Sequence, residues 1–223
     1  METQSDIMKF FQEHAKQEQK EKLERYRILN QYAEPDGILF TGSSLMEQFP
    51  VHELMLADGT HRVIYNRGVG GFTTDDMLAH MEEMVYGVSP RKIFLNIGTN
   101  DIGRPDYSLK RLMENYEKIV RLIQEHMPRT ALYLMAYYPV NETDRLSGNA
   151  WARTMFSTRT NENIRIANRA VASLAQKTAC HFIDVNEGLT DENGRLKAEF
   201  TVEGIHMYAN GYRVVFENMK PYL

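Results

Sequence analysis

The chain has 223 residues, of which 43% are hydrophobic and 25% charged, the composition of a soluble globular protein long enough for one domain with a sizeable core. A net charge of −4, with Lys and Arg scattered along the chain, leaves no electrostatic footprint for nucleic acid. A single cysteine, Cys180, excludes an internal disulfide, and no stretch approaches the roughly 18 apolar residues of a membrane span.

The first twenty residues lack the basic start and apolar core of a signal peptide, so a cytoplasmic location is expected. Residues 5–33 contain neither Gly nor Pro and are mostly strong helix formers, which predicts a long helix. Ile7, Phe10, Phe11 and His14 share one face of it, and Leu23, Tyr26 and Leu29 another. Its middle is polar, so it is partly exposed or breaks in two. It either lies across the flank of the domain or serves as a homodimerisation arm.

Pro35-Asp36-Gly37 is a turn signal, and from there the chain alternates. Short apolar strands are predicted at 38–41, 63–65, 92–97, 131–138 and 181–185. Helices are predicted at 73–86, 107–126, 160–176 and 208–223, with Leu109, Leu112, Met113, Tyr116, Ile119, Val120 and Ile123 at helical spacing in the second. Met77, Met81 and Met84 read as core. This alternation implies a parallel sheet covered by helices on both faces, with sites at the carboxyl ends of its strands. Residues 141–157 form the longest irregular segment and hold the one tryptophan, Trp151, which suits a lid or binding loop. Cys180, between an Ala-rich helix and a strand, reads as a buried, inert thiol.

Four segments carry residues suited to chemistry. Ser44 follows the first strand in Gly42-Ser43-Ser44-Leu45, where a strand-to-helix turn would present its hydroxyl beside free backbone N–H groups; the plain alternative is that Ser43 and Ser44 only cap a helix. Gly68-Val69-Gly70-Gly71 follows the second strand. A dinucleotide fingerprint would need glycine where Thr73 stands, so the run reads as a tight turn whose backbone approaches a ligand closely. Asn100, in Gly98-Thr99-Asn100-Asp101, offers a neutral amide donor for a developing oxyanion, or an ordinary turn. His206 lies three residues after Glu203 in a late loop, a spacing that lets an acid and an imidazole meet. The other histidines lack this context: His14, His80 and His126 fall in predicted helices, His52 and His61 flank a polar loop, and His181 starts a strand. No spacing suggests zinc, so neither metal nor cofactor is expected.

In this order the four segments resemble the SGNH hydrolases, the GDSL-type lipase/esterase family, from about residue 38 to 212. The form of the glycine block is most similar to the platelet-activating-factor acetylhydrolase-like branch. The resemblance implies a flavodoxin-like three-layer α/β/α sandwich with a five-stranded parallel sheet. It divides the chain into an N-terminal helix, 1–34, and a hydrolase domain, 35–223. It also implies acyl transfer through an acyl-enzyme, with Ser44 as nucleophile, His206 as base and Glu203 as the acid behind it. The oxyanion hole would comprise the N–H groups of Ser44 and Gly71 and the side chain of Asn100. Two positions depart from the family pattern: Ser43 replaces an aspartate, and Glu203 replaces the triad aspartate, so its longer side chain must fold back; a backbone carbonyl could orient His206 instead.

The expected substrate is a small ester, acetyl or short-acyl, on a lipid-like or small alcohol. The alternatives are an O-acetyl group on a carbohydrate, or a non-catalytic binding domain on the same fold. Trp151, Met155 and Phe156 would supply apolar or sugar-stacking surface, whereas Arg145, Arg153 and Arg159 would favour an anionic substrate.

Overall fold

The structure, a computed structural model, describes residues 4–143 and 156–223. Five strands form one parallel sheet: β1 (Ile38–Gly42), β2 (Ile64–Gly68), β3 (Lys92–Asn96), β4 (Ala131–Met135) and β5 (His181–Ile183), in the order β2-β1-β3-β4-β5. Every residue of β1 is buried, as is all of β3 after Lys92. Helices cover both faces, which is why these strands read as unbroken apolar runs. The order reverses direction between β1 and β3, the place where α/β sheets open a crevice at their carboxyl ends. Gly42 pairs with Gly68 on one side and Asn96 on the other, so β1, β2 and β3 end flush. Their exit loops therefore leave from one line.

The helices are α1 (Gln4–Asn30), α2 (Ser44–Glu47), α3 (Val51–Ala57), α4 (Thr74–Ala79), α5 (Met81–Met84), α6 (Thr99–Ile102), α7 (Leu109–His126), α8 (Asn161–Lys177) and α9 (Ala209–Met219). Each of the two long crossover helices starts on a hydroxyl cap. Ser108 accepts from the Arg111 N–H, and Thr160 from the Asn163 N–H. Their apolar stripes, Leu112, Tyr116, Ile119, Val120 and Ile123 on α7 and Ile164, Ala167, Val171 and Leu174 on α8, are buried.

Several elements differ from the sequence expectation. The helix expected over 73–86 is two short helices, α4 and α5, followed by a 3₁₀ turn at Tyr86–Val88. It breaks at His80 (φ −131°, ψ 33°) and again at Val85 (φ −137°, ψ −63°). Met77, Met81, Met84, Val85 and Val88 are all buried at the spacing of one helical face, so the apolar pattern runs on across both breaks. His52 does not flank a loop: it belongs to α3, and its Nε2 lies 3.1 Å from the Ile64 carbonyl oxygen. Cys180 is a half-buried free thiol, pushed up in pKa by its partial burial.

α1 runs unbroken through its polar middle. Leu23 joins the core, while Phe10 and Phe11, each 63% exposed, stand clear of it. Among the described residues, no helix is long and apolar enough to cross a membrane.

Candidate active site

Ser44 opens α2 directly after β1. Ser43, at the N-cap, makes no side-chain capping bond, so the two serines are not a simple helix cap. The turn is tight because Gly42 (φ 152°) lies against β3: a Cβ there would stand 1.9 Å from the Asn96 carbonyl oxygen. As the first helical residue, Ser44 has a backbone N–H with no intrahelical acceptor.

The loop after β2 is tied down from two sides. Asn66 donates from Nδ2 to the Met46 carbonyl at 2.6 Å and accepts the Gly68 N–H at 2.9 Å. Glu47 accepts the Gly70 N–H and forms an ion pair with Lys22 of α1. Gln19, also on α1, donates to the Gly70 carbonyl at 2.7 Å, and Tyr26 donates to the Gly68 carbonyl at 2.7 Å. Gly71 follows in the left-handed region (φ 78°), and among the described residues its N–H has no protein acceptor.

The third loop leaves β3 through Gly98 (φ 121°) into α6. Asn100 donates from Nδ2 to the Phe72 carbonyl at 2.9 Å, which joins this loop to the glycine loop. Asp101 accepts the Thr74 N–H at 3.0 Å at the start of α4, and burial pushes its carboxyl up in pKa against those hydrogen bonds.

The fourth segment approaches from the C-terminal side. Thr201 and Met207 form an isolated bridge, and the Thr201 hydroxyl donates to the His206 carbonyl at 3.0 Å while accepting the Gly204 N–H at 2.7 Å. This knot holds Glu203 and His206 on the same side of the loop. Glu203 Oε1 accepts the His206 backbone N–H at 3.1 Å and also meets the ring at Nδ1. The other ring nitrogen, Nε2, lies 2.9 Å from Ser44 Oγ. The longer Glu203 side chain does fold back onto the imidazole. A hydroxyl, an imidazole and a carboxylate in series can pass a proton away from the hydroxyl and hold the cation that forms.

The sequence model of the GDSL-like Lipase/Acylhydrolase family matches this chain over residues 43–214. The protein belongs to that family. Its members' fold and chemistry make it a GDSL-type ester hydrolase. It is 23% identical over 184 residues to the isoamyl acetate-hydrolyzing esterase of Saccharomyces cerevisiae, covering 78% of this chain and 74% of the relative. It is 22% identical over 183 residues to the platelet-activating factor acetylhydrolase IB subunit alpha1 of Bos taurus, covering 82% and 72%. A solved structure from Streptococcus pneumonia, named after platelet activating factor, superposes with a TM-score of 0.88 at 32% identity over 99% of each chain. An acetyl xylan esterase matches with a TM-score of 0.66 at 17% identity over 83% of this chain and 98% of its own, a likeness of fold alone.

In this GDSL-type hydrolase, Ser44, Gly71, Asn100, Glu203 and His206 gather at the carboxyl edge of the sheet. Trp151, Met155, Arg145 and Arg153 lie outside the described residues. Phe156 is half-buried, packed on the core with its ring edge against Gly204. Arg159 does not face solvent as a substrate-binding cation would: it is 7% exposed and bonded to the asparagine loop. Gln19 and Lys22 were hidden in the polar middle of α1. The signal that could have found them is their helical spacing with Leu23, Tyr26 and Asn30, which puts all five on the face that meets the domain. Among the described residues, no cluster of His, Cys, Asp or Glu is arranged to hold a metal ion.

Proposed function

We propose that the protein hydrolyses a small acetyl or short-acyl ester through an acyl-enzyme on Ser44. The observation that carries this reading is the 2.9 Å contact between His206 Nε2 and Ser44 Oγ, made across 162 residues of chain, with Glu203 on the opposite ring nitrogen. His206 takes the Ser44 proton as Oγ attacks the ester carbonyl carbon. The oxyanion is received by the N–H groups of Ser44 and Gly71 and by the Asn100 Nδ2 hydrogen that Phe72 does not use. His206 then gives its proton to the leaving alcohol, and water, deprotonated by the same nitrogen, releases the acid from Ser44.

The acetyl preference is supported by the names of two relatives, an acetate-hydrolysing esterase and an acetylhydrolase subunit. Turnover of p-nitrophenyl acetate, butyrate and octanoate, beside a panel of acetylated sugars, tests it. The reading predicts the highest kcat/KM on the acetyl ester; a maximum on octanoate sinks the short-acyl assignment, and selective turnover of the sugars moves the substrate to carbohydrate.

The same reading takes the protein to act in the cytoplasm, supported by the free thiol of Cys180, and as a homodimer through α1, supported by the exposed Phe10 and Phe11. Cell fractionation tests the first. Sedimentation velocity of wild type against Phe10→Ser/Phe11→Ser tests the second, and a wild-type monomer at all concentrations removes it.

A further inference from the structure

A buried arginine sits directly behind the oxyanion loop. Arg159 is 7% exposed, and among the described residues no carboxylate pairs with it within 4.0 Å. Its guanidinium instead spends two donors on one short stretch of chain. Nε donates to the Thr99 carbonyl at 3.1 Å, and a terminal nitrogen donates to Asn100 Oδ1 at 3.1 Å. Gly103 clears the space, since a Cβ there would lie 2.3 Å from that terminal nitrogen. Burial lowers the pKa of Arg159 to about 10, opposed by the Glu203 carboxylate, so it stays a cation at neutral pH. Desolvating a cation is costly, and this one meets neutral carbonyl oxygens. Its position calls for a reason beyond stability.

The Asn100 side chain supplies that reason. An amide can turn over about its last torsion and exchange its oxygen and nitrogen with little change in shape. In the observed orientation, Oδ1 faces Arg159 and Nδ2 faces the Phe72 carbonyl. Turned over, the amide would set a donor against the guanidinium, which has only donors, and an acceptor against a carbonyl oxygen. Of the two constraints, Arg159 carries the charge. Turned over, the amide would also offer oxygen rather than N–H to a developing oxyanion.

We propose that Arg159 is a positioning residue of the oxyanion hole: it locks the Asn100 amide with its nitrogen toward the substrate and, by drawing charge onto Oδ1, strengthens the remaining N–H as a donor. This deepens the ester-hydrolase reading and rests on it. Among the described residues Arg159 has no hydrogen bond to Ser44, Glu203 or His206, and its contact with the site is through Asn100 and the Thr99 carbonyl beside it.

A double-mutant cycle on p-nitrophenyl acetate tests this, with kcat and KM measured separately for wild type, Arg159→Met, Asn100→Ala and the double variant. Losing an oxyanion donor costs about 100- to 1000-fold in turnover. Arg159→Met keeps the donor but leaves the Phe72 carbonyl alone to hold the amide, so kcat is expected to fall about 10- to 100-fold with KM within about 2-fold of wild type. In the Asn100→Ala background, the same substitution is expected to cost no more than about 3-fold. An equal loss in both backgrounds, or a loss confined to KM or to thermal stability, overturns the proposal. Arg159→Lys keeps the charge but replaces the planar fork with a point donor. If Arg159→Met does not fold, the cycle is run with Arg159→Lys, for which about a 10-fold loss of kcat that vanishes without Asn100 is expected; an undiminished kcat overturns the proposal. The wild-type arm separates the two readings. A folded wild type with no turnover, or turnover that survives Ser44→Ala, defeats the hydrolase reading and this inference with it. Normal Ser44-dependent turnover with an additive cycle defeats this inference alone.

Discussion

Glu203 is the most informative position to perturb, because its acid is one methylene longer than the aspartate of the family pattern. Its Oε1 accepts from two groups of His206, the backbone N–H at 3.1 Å and the ring at Nδ1. Both neighbours of that oxygen are donors, so Glu203→Gln can set its amide oxygen in the same place and keep Nδ1 protonated. What it loses is the negative charge. A hydrogen bond to a charged group contributes about 1.5–3 kcal/mol, and each 1.4 kcal/mol is about tenfold, so kcat should fall roughly 10- to 150-fold. That is milder than the roughly 10,000-fold loss for the equivalent change in the serine-protease template, where the amide enforces the wrong tautomer. Glu203→Ala removes charge and orientation together and should approach that larger loss. Glu203→Asp, shorter by one bond of about 1.5 Å, should fall between wild type and alanine because it cannot hold both His206 contacts. The assay is steady-state hydrolysis of p-nitrophenyl acetate at fixed pH, with circular dichroism to verify folding. Glu203→Ala turnover within about 3-fold of wild type would refute the reasoning, and a backbone carbonyl would then have to orient the ring.

Other positions test the surrounding architecture. Gln19→Ala removes one net hydrogen bond of about 1 kcal/mol from the Gly70 carbonyl, so kcat on the same ester should drop roughly 5-fold; an unchanged kcat would show that α1 does not steady the glycine loop. Gly42→Ala puts a methyl group 1.9 Å from the Asn96 oxygen and should cost about 3 kcal/mol or more, lowering Tm by roughly 6–12 °C in calorimetry; a shift under about 2 °C would contradict the close approach of β1 to β3. Burial raises the Asp101 pKa, so the folded chain holds this proton above the pH at which the unfolded chain releases it. Asp101 therefore contributes stability that is present below about pH 4 and lost as pH rises through its folded value. Urea unfolding should show wild type losing stability relative to Asp101→Asn between pH 4 and pH 7, and the opposite trend would contradict the burial argument.

The parts legible in the sequence were those written in local patterns. β1 and β3 are buried on both faces, so their apolar runs stand out, and α7 repeats its buried residues at helical spacing. The meeting of Glu203 and His206 could be anticipated because only three residues separate them. Features that depend on distant partners were not legible. The break at His80 leaves no mark in the sequence, because Met77, Met81 and Met84 keep the spacing of one helical face across it. Gln19 and Lys22 sit among charged neighbours on α1 and look like any solvated helix surface until the glycine loop is placed beside them. Arg159 looks like a loop arginine facing a substrate; only the folded chain puts Asn100 within reach of its guanidinium.

The central claim is that Ser44 is the nucleophile activated by His206. Intact-mass spectrometry after exposure to a fluorophosphonate measures this directly. The account predicts one stoichiometric adduct on folded wild type, located on Ser44, strongly slowed in His206→Ala and absent in Ser44→Ala. No adduct on folded wild type, or an equal adduct on Ser44→Ala, would contradict it.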